Sequence, residues 1–479
     1  MTGHPLSKKA GLFLGPLLFV AFQFLPFELI SEKADNVIAT ALWMVTWWVT
    51  EAVSISVTSL LPLLLFPIFN VMPLDAVGSN YGSPIVFLFF GGFVLALAIE
   101  KVNLHRRIAL SIIKKTGTSP NKVVLGFMIA TAFMSMWISN TACTVVMLPI
   151  ALSVIRLLIN DADGFTKQDQ NFALSVMLGI AFSANAGGIA TVIGTPPNSV
   201  LIGLLENEYN IEVSFFKWML IGLPFSVVLI TVIYFVLTQW VFPNKGVVFN
   251  ASKDVIDSEL KKLGKTSARE KHVLVTFCII VFLWIFRTLI NNLIPGLALS
   301  DTTISILGAL ALFTIPFNLK TGDFILKWND TQKLSWGILI LFGGGLALAN
   351  GMSESGIIEV IATNISNSSI SILLMATLLI FLMLFMTELM SNVALTAVLA
   401  PVVAGIAIGL NVPMLYLLIP VTIASSCAFM LPMATPPNAI VFASGYVKVG
   451  QMARVGFILN LISVVLLVLV FKFFVPLVF

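Results

Sequence analysis

The sequence predicts an all-α polytopic membrane protein, an inverted repeat with eleven transmembrane helices and two re-entrant hairpins. Of the 479 residues, 58% are hydrophobic and 10% are charged, and the mean hydropathy is +1.04. The apolar blocks have room for many helices of about 20 residues, the length that crosses a bilayer. In addition, two polar breaks in the first half of the chain recur in the second half.

Composition also excludes several classes of protein. Little sequence lies outside the apolar blocks, so we expect no soluble catalytic domain. The net charge of +4 is small and no basic run alternates with aromatic residues, which argues against a nucleic-acid partner. Cys143, Cys278 and Cys427 lack metal-ligand spacing. Because the spans contain no Ser/His pair or Asp dyad and the chain no nucleotide-binding loop, we expect neither an enzyme nor an ATP-driven pump.

The first predicted element is an uncleaved N-terminal helix within residues 1–35. Lys8 and Lys9 precede the apolar run Ala10 to Leu29, and no small-residue cleavage pattern follows it. Basic residues before a first apolar run keep that end of the chain inside. We therefore expect a cytoplasmic N-terminus.

Charge-free blocks locate the spans, because a Lys, Arg or Asp at the centre of a lipid-facing helix costs about 2.5–3.5 kcal/mol. Eleven spans are expected, near 10–30, 36–51, 53–70, 84–101, 170–206, 215–243, 272–292, 302–317, 334–350, 413–446 and 452–479.

Two further apolar stretches, about 121–159 and 369–410, each have a polar break near the middle. Irregular backbone at membrane depth is tolerated only where it is buried in protein or lines a wet cavity. We therefore expect two re-entrant hairpins. The basic residues Lys122 and Arg156 flank the first, which should enter from the inside, whereas the acidic Glu354 precedes the second, which should enter from the outside.

This topology places the inside loops at 1–9, 101–122, 156–169, 244–271, 318–333 and 448–454. They hold 22 of the 26 Lys and Arg residues. The positive-inside rule is therefore satisfied for a multi-pass protein of the cell membrane whose C-terminus lies outside.

The residue pattern of the cytoplasmic linker 244–271 predicts an amphipathic helix. Its apolar residues recur at helical spacing, and its lysines lie on the opposite face. The apolar residues are Ile256, Leu260 and Leu263, and the lysines are Lys253, Lys261, Lys262 and Lys265. Such a helix would lie on the inner surface of the membrane, against its lipids. Residues 103–115 show the same pattern. In both segments an equally good explanation is that the basic residues are solvated and only mark the inside face of the membrane.

Comparing the sequence with itself divides it into two halves, 36–243 and 272–479. At an offset of 252, Phe90-Gly91-Gly92 recurs as Phe342-Gly343-Gly344 and Ser139-Asn140 as Ser391-Asn392; at an offset of 240, Thr195-Pro196-Pro197-Asn198 recurs as Thr435-Pro436-Pro437-Asn438. Five spans and one hairpin in each half give the halves opposite orientations. In transporters of this plan, the binding site lies between matched helix breaks near the midplane.

The Pro-Pro pairs predict broken helices at about 170–206 and 413–446, because proline removes a backbone donor and clashes with the preceding turn. The oxygens at a break suit a hard cation such as Na⁺, and helix N-termini attract carboxylate or sulfate. Such groups come from Ser139, Asn140, Thr141, Thr195, Asn198, Ser391, Asn392, Thr435 and Asn438. A single break is more often a kink, but its recurrence at matched positions favours a binding site.

Two acidic residues, Glu51 and Glu388, lie within apolar sequence, where an acid is by default a functional candidate. Glu51 stands between two predicted spans and is expected near the inner interface. Glu388 stands three residues before Ser391, and two interpretations stay open. It is either a proton or cation relay or a carboxylate that bonds backbone groups of the turn.

Four motifs resemble the signatures of the divalent anion/sodium symporter (DASS) family, the INDY-like dicarboxylate transporters. They are Met136-Trp-Ile-Ser-Asn-Thr-Ala142, Gly194-Thr-Pro-Pro-Asn198, Thr387-Glu-Leu-Met-Ser-Asn392 and Ala434-Thr-Pro-Pro-Asn438. The resemblance covers nearly the whole chain. It implies a homodimer in which a scaffold domain carries a transport domain that moves as an elevator. It also implies Na⁺-coupled uptake of C4-dicarboxylates such as succinate, fumarate or malate.

The resemblance also implies roles for individual residues. One Na⁺ site would use Ser135, Ser139, Asn140 and Gly194, and the other Thr387, Asn392 and Ala434. Substrate would meet Ser139, Asn140 and Thr141 on one hairpin tip, and Ser391, Asn392 and Val393 with Thr435 and Pro436 on the other side. The family signature usually has threonine where this chain has Val393, which cannot donate to an anion. Na⁺-independent exchange, transport of citrate or sulfate, and an anion channel remain alternatives.

Overall fold

The computed structural model describes residues 6–23, 30–117, 119–159, 166–244, 252–318, 322–367 and 370–479. The helices of the first half are α1 (Leu6–Gln23), α2 (Glu32–Thr50), α3 (Ile55–Thr58), α4 (Leu61–Ile68), α5 (Leu74–Tyr81), α6 (Pro84–Lys101), α7 (Leu104–Thr116), α8 (Pro120–Ser135), α9 (Asn140–Ile159), α10 (Lys167–Gly188), α11 (Pro196–Tyr209) and α12 (Phe215–Phe235), which continues as the π-helix Val236–Val241.

The linker and the second half contain α13 (Ser252–Leu263), α14 (Ala268–Leu293), α15 (Asp301–Thr314), α16 (Trp336–Glu354), α17 (Ile357–Ser366), α18 (Ile372–Met386), α19 (Asn392–Gly409), α20 (Met414–Ser425), α21 (Pro436–Ala443), α22 (Val449–Leu469) and α23 (Val475–Val478). The remaining elements are the antiparallel strands β1 (Pro316–Asn318) and β2 (Asp323–Phe324), the 3-10 helix Trp328–Lys333 and the π-helix Val470–Phe474.

The described part of the chain has six helices that are long and apolar enough to cross a membrane by length and composition. They are Leu74–Lys101, Phe215–Val241, Ala268–Leu293, Trp336–Glu354, Asn392–Gly409 and Val449–Val478. Other predicted spans are divided into shorter helices. The stretch 53–70, for example, forms α3 and α4. The total of eleven crossings therefore stays a prediction.

Burial separates a central helix from helices at the surface. In α10, every residue from Phe172 to Gly188 is buried. A helix that is covered all round lies inside a protein. By contrast, large apolar side chains are exposed along α14 and α22, among them Phe282, Leu289 and Val465. Exposed apolar surface of this extent fits helices that face lipid.

Both predicted hairpins consist of two helices that meet at a short irregular turn. α8 and α9 meet at residues 136–139, and α18 and α19 meet at residues 387–391. In each turn a serine hydroxyl accepts a hydrogen bond from a backbone N–H three residues on: Ser139 from Ala142 at 3.2 Å and Ser391 from Ala394 at 3.5 Å. Residue 369, the predicted start of the second hairpin, lies outside the described residues. The side from which each hairpin enters the membrane stays a prediction.

Both predicted broken helices are interrupted, but the break precedes the prolines. Residues 189–195 separate α10 from α11, and residues 426–435 separate α20 from α21. In each case the Pro-Pro pair opens the second half-helix. Proline is favoured at the first position of a helix because the N–H that it lacks would have no partner there.

The helix predicted in the linker is present as α13, but part of its apolar side faces protein. Ile256 is only 3% exposed and belongs to the main hydrophobic core. α13 packs on α7, and Lys114 of α7 pairs with Asp257 at 2.7 Å. Ile256 therefore faces protein and not the membrane surface, which corrects the prediction at this residue. The side chain of Lys253 lies outside the described residues.

Glu51 ends α2 in a left-handed backbone conformation, and its carboxylate lies 3.2 Å from the ammonium of Lys8. The pair joins the end of α2 to the beginning of α1. Glu51 is therefore next to the N-terminal lysines, which the sequence assigns to the inner interface.

Candidate ion and substrate site

Ser135 and Asn140 stand on either side of the first hairpin turn and meet over α10. The Ser135 hydroxyl donates to the Ala184 carbonyl at 2.7 Å and lies 2.5 Å from Oδ1 of Asn140. The same end of the Asn140 amide lies 3.3 Å from the carbonyl oxygens of both Ala184 and Gly194. In this orientation that end of the amide faces only acceptors, whereas turned over it is an NH₂ group that donates towards Ser135, Ala184 and Gly194. The Ser135 hydroxyl, the Asn140 amide and the carbonyls of Ala184 and Gly194 are called the first oxygen cluster.

The cluster leaves little space for additional atoms. A Cβ added to Gly188 would lie 2.7 Å from Oδ1 of Asn140 and 3.0 Å from the Gly194 carbonyl. Any side chain at position 188 would therefore press into the cluster. The absence of a side chain at Gly188 keeps the oxygens accessible to a small ligand.

The second hairpin turn repeats this arrangement. The Thr387 hydroxyl donates to the Ser425 carbonyl at 2.7 Å and lies 2.6 Å from Oδ1 of Asn392. The carbonyls of Asn140 and Asn392 also match, since each accepts a hydrogen bond of 2.8 Å from the threonine one turn later. We call the oxygens of Thr387, Asn392 and Ser425 the second oxygen cluster.

The donor count fits a hard cation most directly at the second cluster, where one hydroxyl faces two acceptor oxygens. A hydroxyl has one proton and can donate to only one of the two oxygens beside it. The remaining oxygens are uncharged carbonyl, amide and hydroxyl groups, which are ligands that Na⁺ accepts. Turned over, the Asn140 amide would instead donate its N–H to Ala184 and Gly194. The first cluster can therefore be stabilised either by the amide or by a cation.

Two asparagines fix the shape of the two breaks. Asn198, at the start of α11, donates to the Thr191 carbonyl at 2.8 Å. Asn438, at the start of α21, donates to the carbonyls of Leu431 and Ala428, both at 3.1 Å. Both side chains are fully buried. The repeated Pro-Pro-Asn sequence thus combines a helix start with an amide that folds back on the preceding loop.

Glu388 bonds backbone groups, but they belong to the second helix break and not to the hairpin turn. Its carboxylate is 3% exposed and accepts from the N–H groups of Phe429 and Met430 at 2.7 and 2.9 Å. It also accepts from the Leu431 N–H at 3.1 Å and from the Asn460 amide at 2.8 Å. Every donor is a neutral N–H, so the carboxylate completes the hydrogen bonding of an unwound segment.

The first break is covered differently. The hydrogen bonds come from α12, where Trp218 donates to the Ile189 carbonyl of the break at 3.0 Å and Ser226 donates to the Ala186 carbonyl at the end of α10 at 2.8 Å. The position that matches Glu388 at the offset of 252 is Met136, whose carbonyl accepts from the Thr191 hydroxyl at 2.6 Å. An acid is therefore present at only one of the two matched positions.

The remaining predicted residues differ in exposure. Ser139, Thr141 and Pro436 are exposed, whereas Ser391 and Val393 are half-buried. Val393 packs against the hydrophobic core, and Ala434 is buried in the second break. The two hairpin tips are therefore not equivalent, since the first presents more polar surface than the second.

The four site elements pack on one another across the two halves. α21 contacts α9 and α10, and α11 contacts α19 and α20. Each hairpin is therefore packed against a half-helix from the other half of the chain.

The sequence did not predict the carbonyls of Ala184 and Ser425, because every residue type has a backbone carbonyl. It also missed Asn185, a buried amide beside Ala184. The available signal was a polar side chain within the charge-free block of 170–206, close to the paired glycines Gly187 and Gly188.

A family model described as the sodium:sulfate symporter transmembrane region matches residues 7–479. The chain is 42% identical over 480 residues to the sodium-dependent dicarboxylate transporter SdcS of Staphylococcus saprophyticus. The aligned region covers 99% of this chain and 92% of that protein. Against SdcS of Staphylococcus aureus the identity is 40% over 478 residues, with 98% and 92% covered.

Two solved structures are similar in fold. The YdaH transporter of Alcanivorax borkumensis has a TM-score of 0.56 at 12% identity, with 99% of both chains covered. MtrF of Neisseria gonorrhoeae has a TM-score of 0.52 at 12% identity, with 95% of this chain and 96% of that chain covered. At this identity both similarities concern the fold alone.

The first prediction separates the two interpretations of Glu388. In Glu388→Gln only one oxygen remains to accept, so buried N–H groups lose their partner at a cost of about 1–3 kcal/mol each. We expect the purified variant to melt at a lower temperature than the wild type, whereas Glu359→Gln, which changes an exposed acid, should melt normally. Wild-type stability in Glu388→Gln, together with loss of the pH dependence of uptake, would instead identify a proton relay.

Proposed function

The chain belongs to the sodium:sulfate symporter family, the divalent anion/sodium symporters that its motifs predict, and on this basis we propose that it couples Na⁺ entry to uptake of C4-dicarboxylates. The substrates would be succinate, fumarate or malate, carried across the cell membrane with no covalent step. The observation that carries the proposal is the pair of matched oxygen clusters at the two hairpin turns. The names of the SdcS relatives support both sodium and dicarboxylate as ligands.

Each cluster would hold one Na⁺. Ser135, Asn140 and Gly194, with the Ala184 carbonyl, would bind the first ion. Thr387 and Asn392, with the Ser425 carbonyl and Ala434, would bind the second. Ser139 is a weaker candidate as a ligand, because its exposed hydroxyl caps α9. Two cations would offset the charge of a dicarboxylate dianion, so the loaded site would carry little net charge.

The substrate would lie against helix N-termini beside these ions. α9 begins at Asn140 and α19 at Asn392, so each hairpin turn directs free N–H groups outward from the start of a helix. Such groups attract carboxylates. Ser139, Thr141, Ser391 and Pro436 would line the same space. Na⁺ at each cluster would fix the turn that presents these N–H groups, which makes substrate affinity depend on sodium.

The movement would be that of an elevator in each subunit of a homodimer. The transport domain would consist of the two hairpins and the two broken helices, which pack on one another across the halves. The halves 36–243 and 272–479 would be the two inverted repeats. Matched hydrogen bonds at Ser135 and Thr387 support that symmetry. The N-terminus would be cytoplasmic and the C-terminus outside.

The proposed function predicts accumulation against a gradient. Proteoliposomes prepared without internal substrate should accumulate labelled succinate when an inward Na⁺ gradient is imposed. They should not accumulate it with an equal inward K⁺ gradient. An anion channel would only equilibrate the label. An exchanger would require internal dicarboxylate whether or not sodium is present, and either result would reject the symport proposal.

A third prediction concerns the two cluster asparagines. Asn140→Ala and Asn392→Ala should each abolish Na⁺-driven uptake, because each amide is proposed to bind both Na⁺ and substrate. The protein should still elute as a single folded species in detergent, as should the control Asn364→Ala, which changes an exposed residue of α17. Near-normal uptake by either cluster variant would reduce that turn to a structural kink.

The difference between Thr141 and Val393 gives a fourth prediction. If the second carboxylate reaches the second tip, Val393→Thr adds a hydrogen bond to a charged group, worth about 1.5–3 kcal/mol at best. Affinity for succinate should then rise by about tenfold. Competition of labelled succinate uptake by succinate, citrate and sulfate measures this. An equal loss of affinity for all three anions would show that position 393 only packs the tip.

A further inference from the structure

Asn185 connects the two halves of the site at a point that neither hairpin reaches. It lies on α10, in the first half, and is 2% exposed. Its amide nitrogen has two N–H groups and lies within hydrogen-bond distance of three oxygens of the second half. These are the Thr435 hydroxyl at 3.0 Å, the Ala428 carbonyl at 3.2 Å and Oδ1 of Asn438 at 3.4 Å. An amide buried this deeply is stable only with such partners.

The two ends of this connection adjoin residues of the two proposed Na⁺ sites. Asn185 directly follows Ala184, whose carbonyl is part of the first oxygen cluster. At the other end, Thr435 directly follows Ala434, and Asn438 holds the carbonyls of the second break. A shift in the end of α10 would therefore reach the second break through the hydrogen bonds of Asn185, which lie near the ring contact between Phe182 of α10 and Phe429 at 5.2 Å.

Within the described residues, the second half makes no matching hydrogen-bonded connection back to the first. Ser426 follows Ser425 as Asn185 follows Ala184, but its hydroxyl is 2% exposed and has no hydrogen-bond partner among the described residues. Oδ1 of Asn198, which matches the acceptor Oδ1 of Asn438, is also buried without a described partner. Serine is shorter than asparagine. The described hydrogen-bonded link is therefore made by Asn185 alone, although the clusters themselves occur twice.

We propose that Asn185 is a positioning residue that couples the two proposed Na⁺ sites. An ion in the first cluster holds the Ala184 carbonyl, which fixes Asn185 and with it Thr435 and Asn438 of the second break. Binding at one site then favours binding at the other, and the effect on affinity is reciprocal. This inference rests on the proposed function, because it takes Na⁺ as the ligand of both clusters.

The fifth prediction tests this coupling with Asn185→Ser, which copies the residue present at position 426. The sodium activation curve of succinate uptake should become less cooperative, with a Hill coefficient that falls towards 1. The Na⁺ concentration for half-maximal uptake should rise about fivefold or more, the lower end of typical coupling. The matched control Ser426→Ala, which removes a hydroxyl without a described partner, should keep the wild-type curve.

A purely structural role for Asn185 would give a different result. It would lower the melting temperature or the maximal rate but leave the shape of the sodium curve unchanged, and that outcome would overturn the proposal. Asn185→Thr, which fills more of the vacated space but also lacks the amide, is measured in parallel in case the serine variant does not fold. Both variants should show the same loss of cooperativity.

A second measurement does not require transport. The melting temperature of the purified protein is followed as NaCl replaces KCl, without substrate. The wild type should be stabilised by Na⁺, and Asn185→Ser should need a severalfold higher Na⁺ concentration for the same stabilisation. A wild type that does not respond to Na⁺ in either assay would refute the proposed function itself. A wild type that responds, beside an Asn185→Ser variant with an unchanged response, would refute only the coupling.

Discussion

The structure depends on how the protein stabilises unpaired backbone groups at the two helix breaks. Within a membrane no water bonds a free N–H or carbonyl, so an unwound segment persists only where protein groups bond it. Here these groups are side chains from the segment's own continuation and from packed neighbours. Asn198 and Asn438 fold back on the loops that precede them, and Trp218 of α12 bonds the first loop. The candidate ion sites lie beside these breaks, where the hairpin turns meet the carbonyls of Ala184, Gly194 and Ser425.

The length of each break explains the main difference between the halves. Residues 189–195 form the first break and residues 426–435 the longer second one, because α20 ends sooner after the cluster carbonyl than α10 does. The longer loop has three consecutive N–H groups that no helix bonds. The Glu388 carboxylate accepts all three. The shorter loop needs no such acceptor, which is why Met136 suffices at the matched position.

Sequence reasoning could predict the elements whose cause is local. Ser139 and Ser391 mark helix starts, and Pro196 and Pro436 mark where a helix resumes. The recurrence of these patterns was enough to predict the two pairs of helices joined by a polar turn and the two interrupted helices, whereas re-entry into the membrane stays a prediction. It could not predict the Ala184 and Ser425 carbonyls, since any residue supplies one, or the role of Asn185, whose partners lie more than 240 positions later. It also placed the backbone partners of Glu388 in the wrong turn, because the contact between α18 and the second break depends on tertiary packing.

The electrostatics of the site favour coupling of ions to substrate. Both clusters consist of uncharged groups, and the buried acid Glu388 directly follows Thr387 of the second cluster. A dianion brought into this low-dielectric region alone would lose its hydration, and desolvation of an uncompensated charge is costly. Cations bound in the clusters would supply the compensating charge beside the hairpin turns. Glu388 acts on this site through the backbone, because its carboxylate accepts the N–H groups that shape the second break.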